Sequence, residues 1–283
     1  MNIKHQNGLS LIELMIALSL GVVISLFLIN IMASSNRAAI NSEGSSEATE
    51  NGRFIAGWLT ERFRIGGYSS EGTNLEIPYA DTCAAANILP PAPNANCSFD
   101  DDNSTTTGGD KVVTLRTIDT SASDATYSSA CDGTDLSGLP DGTVVADIFW
   151  VEQNINSIND DDFDDVLYCS TYNHTTGIQL SAAQVIANGI EGMQALYLED
   201  NRPNGNETAP TIAGLEYRNA SNVVNWERVS GLKFSILTRS FNDSTQNVLQ
   251  RSYILLDAAP YTYSDRVVRN IQQTAVFPTN IDK

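Results

Sequence analysis

The sequence predicts an α+β protein in which one long N-terminal helix, apolar in its first half, packs on an antiparallel β-sheet domain. Three observations predict it. Leu14 to Met32 is an almost wholly apolar run, and no charge follows before Arg37. Beyond the run, apolar residues recur at helical spacing at Phe54, Ile55, Trp58, Leu59 and Phe63. After Tyr68 the chain turns to Ser, Thr, Asn, Asp and Gly, with short β-prone stretches between them.

The apolar run comes first in the chain. At ~1.5 Å per residue, the helix from Leu14 to Met32 spans ~28 Å, close to the ~30 Å of a bilayer's hydrocarbon core. Only a helix satisfies its own backbone there. Lys4, before the run, favours a cytoplasmic N-terminus. Ala33-Ser34-Ser35 imitates the cleavage site of a secretory signal, yet the run is longer than such signals and carries Glu13 at its start. A charge at mid-bilayer costs ~2.5–3.5 kcal/mol, less near the edge, so this carboxylate requires a partner.

The helix continues past the membrane. Phe54, Ile55, Trp58, Leu59 and Phe63 form the face expected to meet a globular core, with Glu47, Glu50, Glu61 and Arg62 lining the other side. Gly66-Gly67 supplies the stop. A helix from Leu9 to about Ile65 is ~85 Å long. Gly21, Gly44, Gly52 and Gly57 are expected to weaken it locally, each by about 1 kcal/mol relative to Ala.

The predicted strands are Lys111–Ile118, Val144–Val151, Val166–Thr171, Met193–Leu198, Gly231–Leu237 and Arg251–Leu256. Asp132-Gly133, Asp141-Gly142 and Asn204-Gly205 signal turns. Residues 73–109, with Pro90-Pro91 and Pro93, read as a loop.

Charge is unevenly placed. The formal net charge is −18, and residues 66–170 hold two basic residues, Lys111 and Arg116, against nineteen acidic ones. Such a surface repels phosphate backbones, so no nucleic-acid partner is expected. The acidic segment 71–165 reads as a solvated, solubilising face. Its carboxylate clusters, Asp100–Asp102 and Asp160–Asp162 with Asp164 and Asp165, invite a calcium reading. The EF-hand pattern fails because its Gly position holds Asp165 and its closing Glu position holds Thr171. Neither a metal nor another cofactor is expected. Catalysis is not expected either: His174 has no companion nucleophile, and no GxSxG, HExxH, Walker or dinucleotide motif occurs.

Gly8, Leu9, Ser10, Leu11, Ile12 and Glu13 resemble the type IV prepilin signature: a short basic leader ending in Gly, a hydrophobic first mature residue and Glu as the fifth. The resemblance implies cleavage by a prepilin peptidase between Gly8 and Leu9 and methylation of the new amine on Leu9. It also implies pairing of Glu13 with the N-terminal amine of a neighbouring subunit, and a buried carboxylate paired in this way fixes register between helices. Major pilins usually carry Phe where Leu9 stands. Three internal stretches narrow the family. Asn51 to Leu59 with Arg64 to Tyr68, Val185 to Tyr197 with Asp200, and Trp226 to Ser240 resemble PilW-type minor pilins. The implied organisation is a leader at 1–8, a transmembrane half-helix at 9–32, an extramembrane half at 33–66 and a β-rich domain at 67–283. The implied role is priming of pilus assembly near the tip, with other minor pilins, the major pilin and the inner-membrane assembly platform as partners. The implied location is the inner membrane, single-pass, with the domain in the periplasm before incorporation into the pilus. The J-type minor pseudopilins of type II secretion share this plan and stand as the alternative, with a membrane-tethered binding module or adhesin as another.

Cys83, Cys97, Cys131 and Cys169 all fall beyond the membrane from the leader, in an oxidising compartment in a diderm bacterium. Three pairings are possible; we favour Cys83–Cys97 and Cys131–Cys169, each adding ~2–4 kcal/mol. A zinc site is the rival, without a CxxC to support it.

Overall fold

The computed structural model describes residues 10–70, 75, 77–79, 98–101, 108–153, 165–202, 214–242, 245 and 248–279. Helix α1 spans Leu11–Arg64, 54 residues and ~81 Å at 1.5 Å per residue. Ser10 precedes it in an extended conformation, and the Ser10 N–H donates to the Glu13 carboxylate at 3.1 Å, using one of the donors a helix start leaves open. At the far end, Gly66 N–H bonds back to the Phe63 carbonyl and Gly67 takes φ 77°, a conformation that costs glycine little. Gly67 N–H then donates to the Leu115 carbonyl, and Thr117 N–H to that of Tyr68, so the chain leaves the helix directly alongside the first strand.

The strands are β1 (Val112–Thr117), β2 (Val144–Gln153), β3 (Asp165–Asn173), β4 (Gln179–Asn188), β5 (Ile190–Asp200), β6 (Leu215–Arg218), β7 (Val229–Arg239), β8 (Leu249–Tyr253), β9 (Tyr261–Asp265) and β10 (Arg269–Val276). Among the described residues they form two four-stranded antiparallel sheets, ordered β1-β2-β3-β4 and β10-β7-β5-β6, and a β8-β9 hairpin. The α+β expectation holds. All six predicted strands have a counterpart, although the last lies earlier than Arg251–Leu256. Leu256 falls in a turn with φ 48°. Strands β4, β6, β9 and β10 are additional. Strand β10, Arg-Asn-Ile-Gln-Gln-Thr-Ala-Val, is polar along one side and takes its strand form from pairing with β7.

Phe63 joins the layers. Its ring meets Phe149 of β2 edge-to-face at 5.3 Å and Phe234 of β7 at 5.1 Å. One core cluster therefore contains Ile55, Leu59 and Phe63 of α1, Phe149 and Leu167 of the first sheet, and Met193, Leu232 and Ile236 of the second. Gly109 shows how closely the loop before β1 approaches the second sheet: a Cβ there would meet the Met193 carbonyl oxygen at 2.2 Å.

The helix face differs from expectation. The buried stripe of α1 is Gly44, Ala48, Gly52, Ile55, Leu59 and Phe63, while Phe54 is 69% exposed and Trp58 half-buried. At 3.6 residues per turn Phe54 stands ~100° away from Ile55, outside the contact, and Trp58 lies on the flank against Phe149 at 5.9 Å. Gly52 is a contact residue as well as a weak helix former, and its missing side chain lets α1 approach Thr238 of β7 and Gln272 of β10.

Candidate assembly interface

The most unusual surface lies along the first half of α1. Every residue from 10 to 43 is exposed, including Leu11 at 78%, Phe27 at 66% and Met32 at 72%. Among the described residues, α1 is the one helix long and apolar enough to cross a membrane. A continuous apolar cylinder of this size is not stable in water and requires lipid or other helices around it. Glu13 stands in its first turn, and within the chain its carboxylate meets the Ser10 N–H. Gly8 and Leu9 lie outside the described residues.

The domain that α1 carries is stiffened around the cysteines. Cys131 and Cys169 form a disulfide across 38 residues with Cα atoms 6.3 Å apart, tying the β1–β2 connection to β3. Cys131 N–H donates to Thr171 Oγ1 at 2.9 Å, and that hydroxyl donates to Asp147 Oδ1 at 2.6 Å. Asp147 in turn receives Arg116 Nε at 2.6 Å, in an ion pair almost wholly out of water. Arg116 also donates to the Tyr127 and Ser129 carbonyls, so its charge is shared among several acceptors. Cys83 and Cys97 lie outside the described residues. With two of the four sulfurs consumed, a four-cysteine zinc site is not available.

The acidic segment is not the uniformly solvated face expected. Asp101, Asp110 and Asp147 are buried. Asp110 accepts from the Asp101 N–H at 2.8 Å and the Ala195 N–H at 2.7 Å, clamping the loop before β1 onto β5. Burial pushes its carboxyl well above the usual range, against the pull of those two donors. Burial also brings the neighbouring Lys111 down to about 8. In the β1–β2 connection, Asp124, Asp132 and Asp135 each accept the backbone N–H two residues on, and Asp141 receives Thr120. These are turn-forming uses of a short carboxylate. Asp102, Asp160, Asp161, Asp162 and Asp164 lie outside the described residues, and Asp165 is buried at the start of β3. His174 sits in the turn after β3.

A second buried ion cluster sits beside α1. Arg269 pairs with Glu191 and Asp265, stacks 3.7 Å from the Tyr263 ring centre, and shares Glu191 with Arg239 at 3.8 Å. It anchors the start of β10, the strand against which Gly52 packs. The small residues at 44, 48 and 52 were visible in the sequence as a four-residue repeat. Their contact role required knowing what lies opposite.

Two family models match separate parts of the chain: the prokaryotic N-terminal methylation motif over residues 3–29, and the type IV pilus-assembly protein W family over residues 148–280. No curated protein matches. Among solved structures, a type IV-like pilin from Thermus thermophilus aligns with a TM-score of 0.46 and 13% identity, over 83% of this chain and 97% of that one. With the exposed apolar half-helix, its early glutamate and the antiparallel domain on its second half, the chain is a type IV pilin-like protein. Within that class it is of the PilW minor-pilin type.

Proposed function

We propose that this chain is a minor subunit of a type IV pilus that acts in the priming complex at the filament tip. The carrying observation is the exposure of α1 from residue 10 to 43, ahead of a half that is fixed to a domain. In this reading residues 1–8 are removed, Leu9 becomes the methylated N-terminus, and residues 9–32 hold the chain in the inner membrane with its domain in the periplasm. On assembly the apolar half exchanges lipid for neighbouring helices. Glu13 then exchanges its local N–H for the terminal amine of a neighbour, a charge pair that sets the axial register. The partners are other minor pilins, the major pilin, the prepilin peptidase and the assembly platform. The role is structural, not catalytic.

The deciding experiment is mass spectrometry of the mature protein, paired with piliation of a Glu13→Ala strain. A chain beginning at N-methylated Leu9, with few pili in the variant, is the expected result. A mature chain beginning at Met1 or near Ser34 would overturn the proposal, and normal piliation in the variant would remove the charge-pairing step.

A further inference from the structure

We infer that this chain docks against a second copy of itself, with the carboxylate flank of one α1 seated in the arginine groove on the opposite flank of the next. The inference rests on the filament role proposed above and adds to it that at least two copies stand in succession.

Two grooves run along α1, one on each side of its buried stripe. The first, of about 650 Å³, is lined by Glu43, Glu47 and Glu50, with Asn242 from the loop after β7. The second, of about 870 Å³, is lined by Ser45, Thr49 and Arg53 of α1 and by Arg251 of β8. At 3.6 residues per turn Glu47 and Arg53 stand about 120° apart around the helix axis. Glu50 lies on the exposed ridge between them and lines both grooves.

The charges on these flanks are not used inside the chain. Most described guanidiniums pair internally: Arg64 with Glu61, Arg116 with Asp147, Arg202 with Asp200, Arg218 with Glu199 and Glu216, and Arg269 with Glu191. Arg53 and Arg251 have no hydrogen bond or ion pair among the described residues, and neither do the exposed Glu43 and Glu50. Glu47, beside them, accepts the Phe241 N–H at 3.2 Å. Arg holds carboxylates through a planar fork of donors, which gives the second groove its selectivity. A two-fold pairing would set Arg against Arg or Glu against Glu, and such contacts repel. A head-to-tail contact of acidic flank on basic flank joins opposite charges, and contacts of that kind repeat along an open array.

Register selects a copy of this chain as the occupant. When the Leu9 amine of one copy meets Glu13 of another, the first stands four residues higher, ~6 Å. Arg53 of the lower copy is then level with position 49 of the raised one, between its Glu47 and Glu50. Arg53 stands forty residues beyond Glu13 on one unbroken helix, about eleven turns, so both face the same neighbour. A single axial offset therefore closes both charge pairs, with the carboxylate spacing this sequence itself carries. In the reverse order, Arg53 of the raised copy is level with Gly57 of the lower one, where residues 54–60 hold no carboxylate.

The test is photo-crosslinking between two differently tagged full-length copies in pilus-producing cells, from a benzophenone side chain at position 45. A cross-link to residues 43–50 of the other copy is expected. R53E/R251E or E43K/E50K, present in both copies, should lower it about tenfold as attraction becomes repulsion. With R53E/R251E on the benzophenone copy and E43K/E50K on the other, opposite charges meet again, and the cross-link should return to within about twofold of wild type. Should a reversed variant accumulate poorly, R53Q and E50Q are read singly, each expected to weaken the cross-link about threefold. Cross-links unchanged by both reversals, or no recovery in the mixed pair, overturn the inference. Capture of a different subunit alone, or of no protein, also overturns it, and with a mature chain starting at Leu9 the filament role then stands. A mature chain starting at Met1 or near Ser34 overturns the filament role and the inference with it.

Discussion

Thr238 Oγ1 of β7 donates to the Ala48 carbonyl of α1 at 2.8 Å, across 190 residues of sequence, and lies 3.2 Å from the Asn270 carbonyl of β10. One hydroxyl thus ties the helix to two strands of the second sheet. The contact requires the backbones to be close, and Gly52 makes that possible. A Cβ at this position would sit 2.7 Å from Gln272 Cγ and 2.9 Å from Thr238 Oγ1, whereas one at Gly57 would meet nothing within 4 Å. Gly52→Leu is expected to destabilise the fold by about 1–3 kcal/mol through overpacking. Gly57→Ala, on the exposed face, is expected to stabilise it by about 0.5–1 kcal/mol through helix propensity. Thermal unfolding of the two variants should shift in opposite directions; equal losses would refute the contact role of Gly52.

The Arg116–Asp147 pair lies inside the domain; Asp147 also accepts from Thr171 Oγ1, and Arg116 also donates to the Tyr127 carbonyl. Removing one partner leaves a buried charge, so Arg116→Ala or Asp147→Ala alone should cost about 3–5 kcal/mol. The double variant should cost clearly less than the sum. A denaturant-based double-mutant cycle measures this, and simple additivity would show that the two charges do not act as a unit.

The Cys131–Cys169 bridge closes a loop of 38 residues' separation. Loop-closure entropy for that length gives about 4 kcal/mol, so Cys131→Ser with Cys169→Ser should lower stability by about 2–4 kcal/mol. Peptide mapping without reductant should recover the two cysteines in one linked fragment, and recovery of either as a free thiol would contradict the pairing.

Asp110 makes stability depend on pH in an unusual direction. Its folded carboxyl is raised above the usual value of 3.8 by burial, with Asp100 and Asp257 adding repulsion against the two backbone donors. Between pH ~4 and its raised folded value, the native state holds a proton that the unfolded chain has released. Stability from this group is therefore full below pH ~4 and falls as pH rises. Asp119, Asp124 and Asp135 are held below 3.8 by their hydrogen bonds, so they oppose this only at lower pH. Asp110→Asn should flatten the decline in melting temperature between pH 4.5 and 7. Parallel profiles for variant and wild type would exclude Asp110 as its source.

Phe54 is large, apolar and 69% exposed on the helix, beside Arg53. Phe54→Ser should change the stability of the chain by less than about 0.5 kcal/mol. If this face meets a neighbour in a filament, the same change should lower the fraction of the protein recovered in sheared pili. Recovery at the wild-type level would mean that Phe54 faces no partner there.

Much of α1 was legible because its signals are local. A nineteen-residue apolar run, a glutamate at its head and a double-glycine stop are each read from neighbouring residues alone, and the structure places the helix at Leu11–Arg64. Strands β2, β5 and β7 were legible for a similar reason, since β-branched and aromatic residues crowd into short runs. Strand β10 was not, because its pattern of Gln, Asn and Thr becomes a strand only when β7 offers its edge. The aspartates misled for another reason. Composition counts carboxylates without distinguishing one that closes a turn, as Asp132 does, from one buried against an arginine, as Asp147 is.

Read alone, the amino-acid order settles the class of protein, the length and polarity of its helix, and the place of Glu13, because helical period and membrane thickness act over neighbouring residues. It also names the four cysteines and the glycines of α1. Which cysteines meet, which face of α1 carries the domain, and which arginines remain without a carboxylate are decided in the tertiary structure. Those outcomes depend on strand pairing that brings residues 48 and 238, or 53 and 251, to one place, and no local pattern encodes a contact across that much chain.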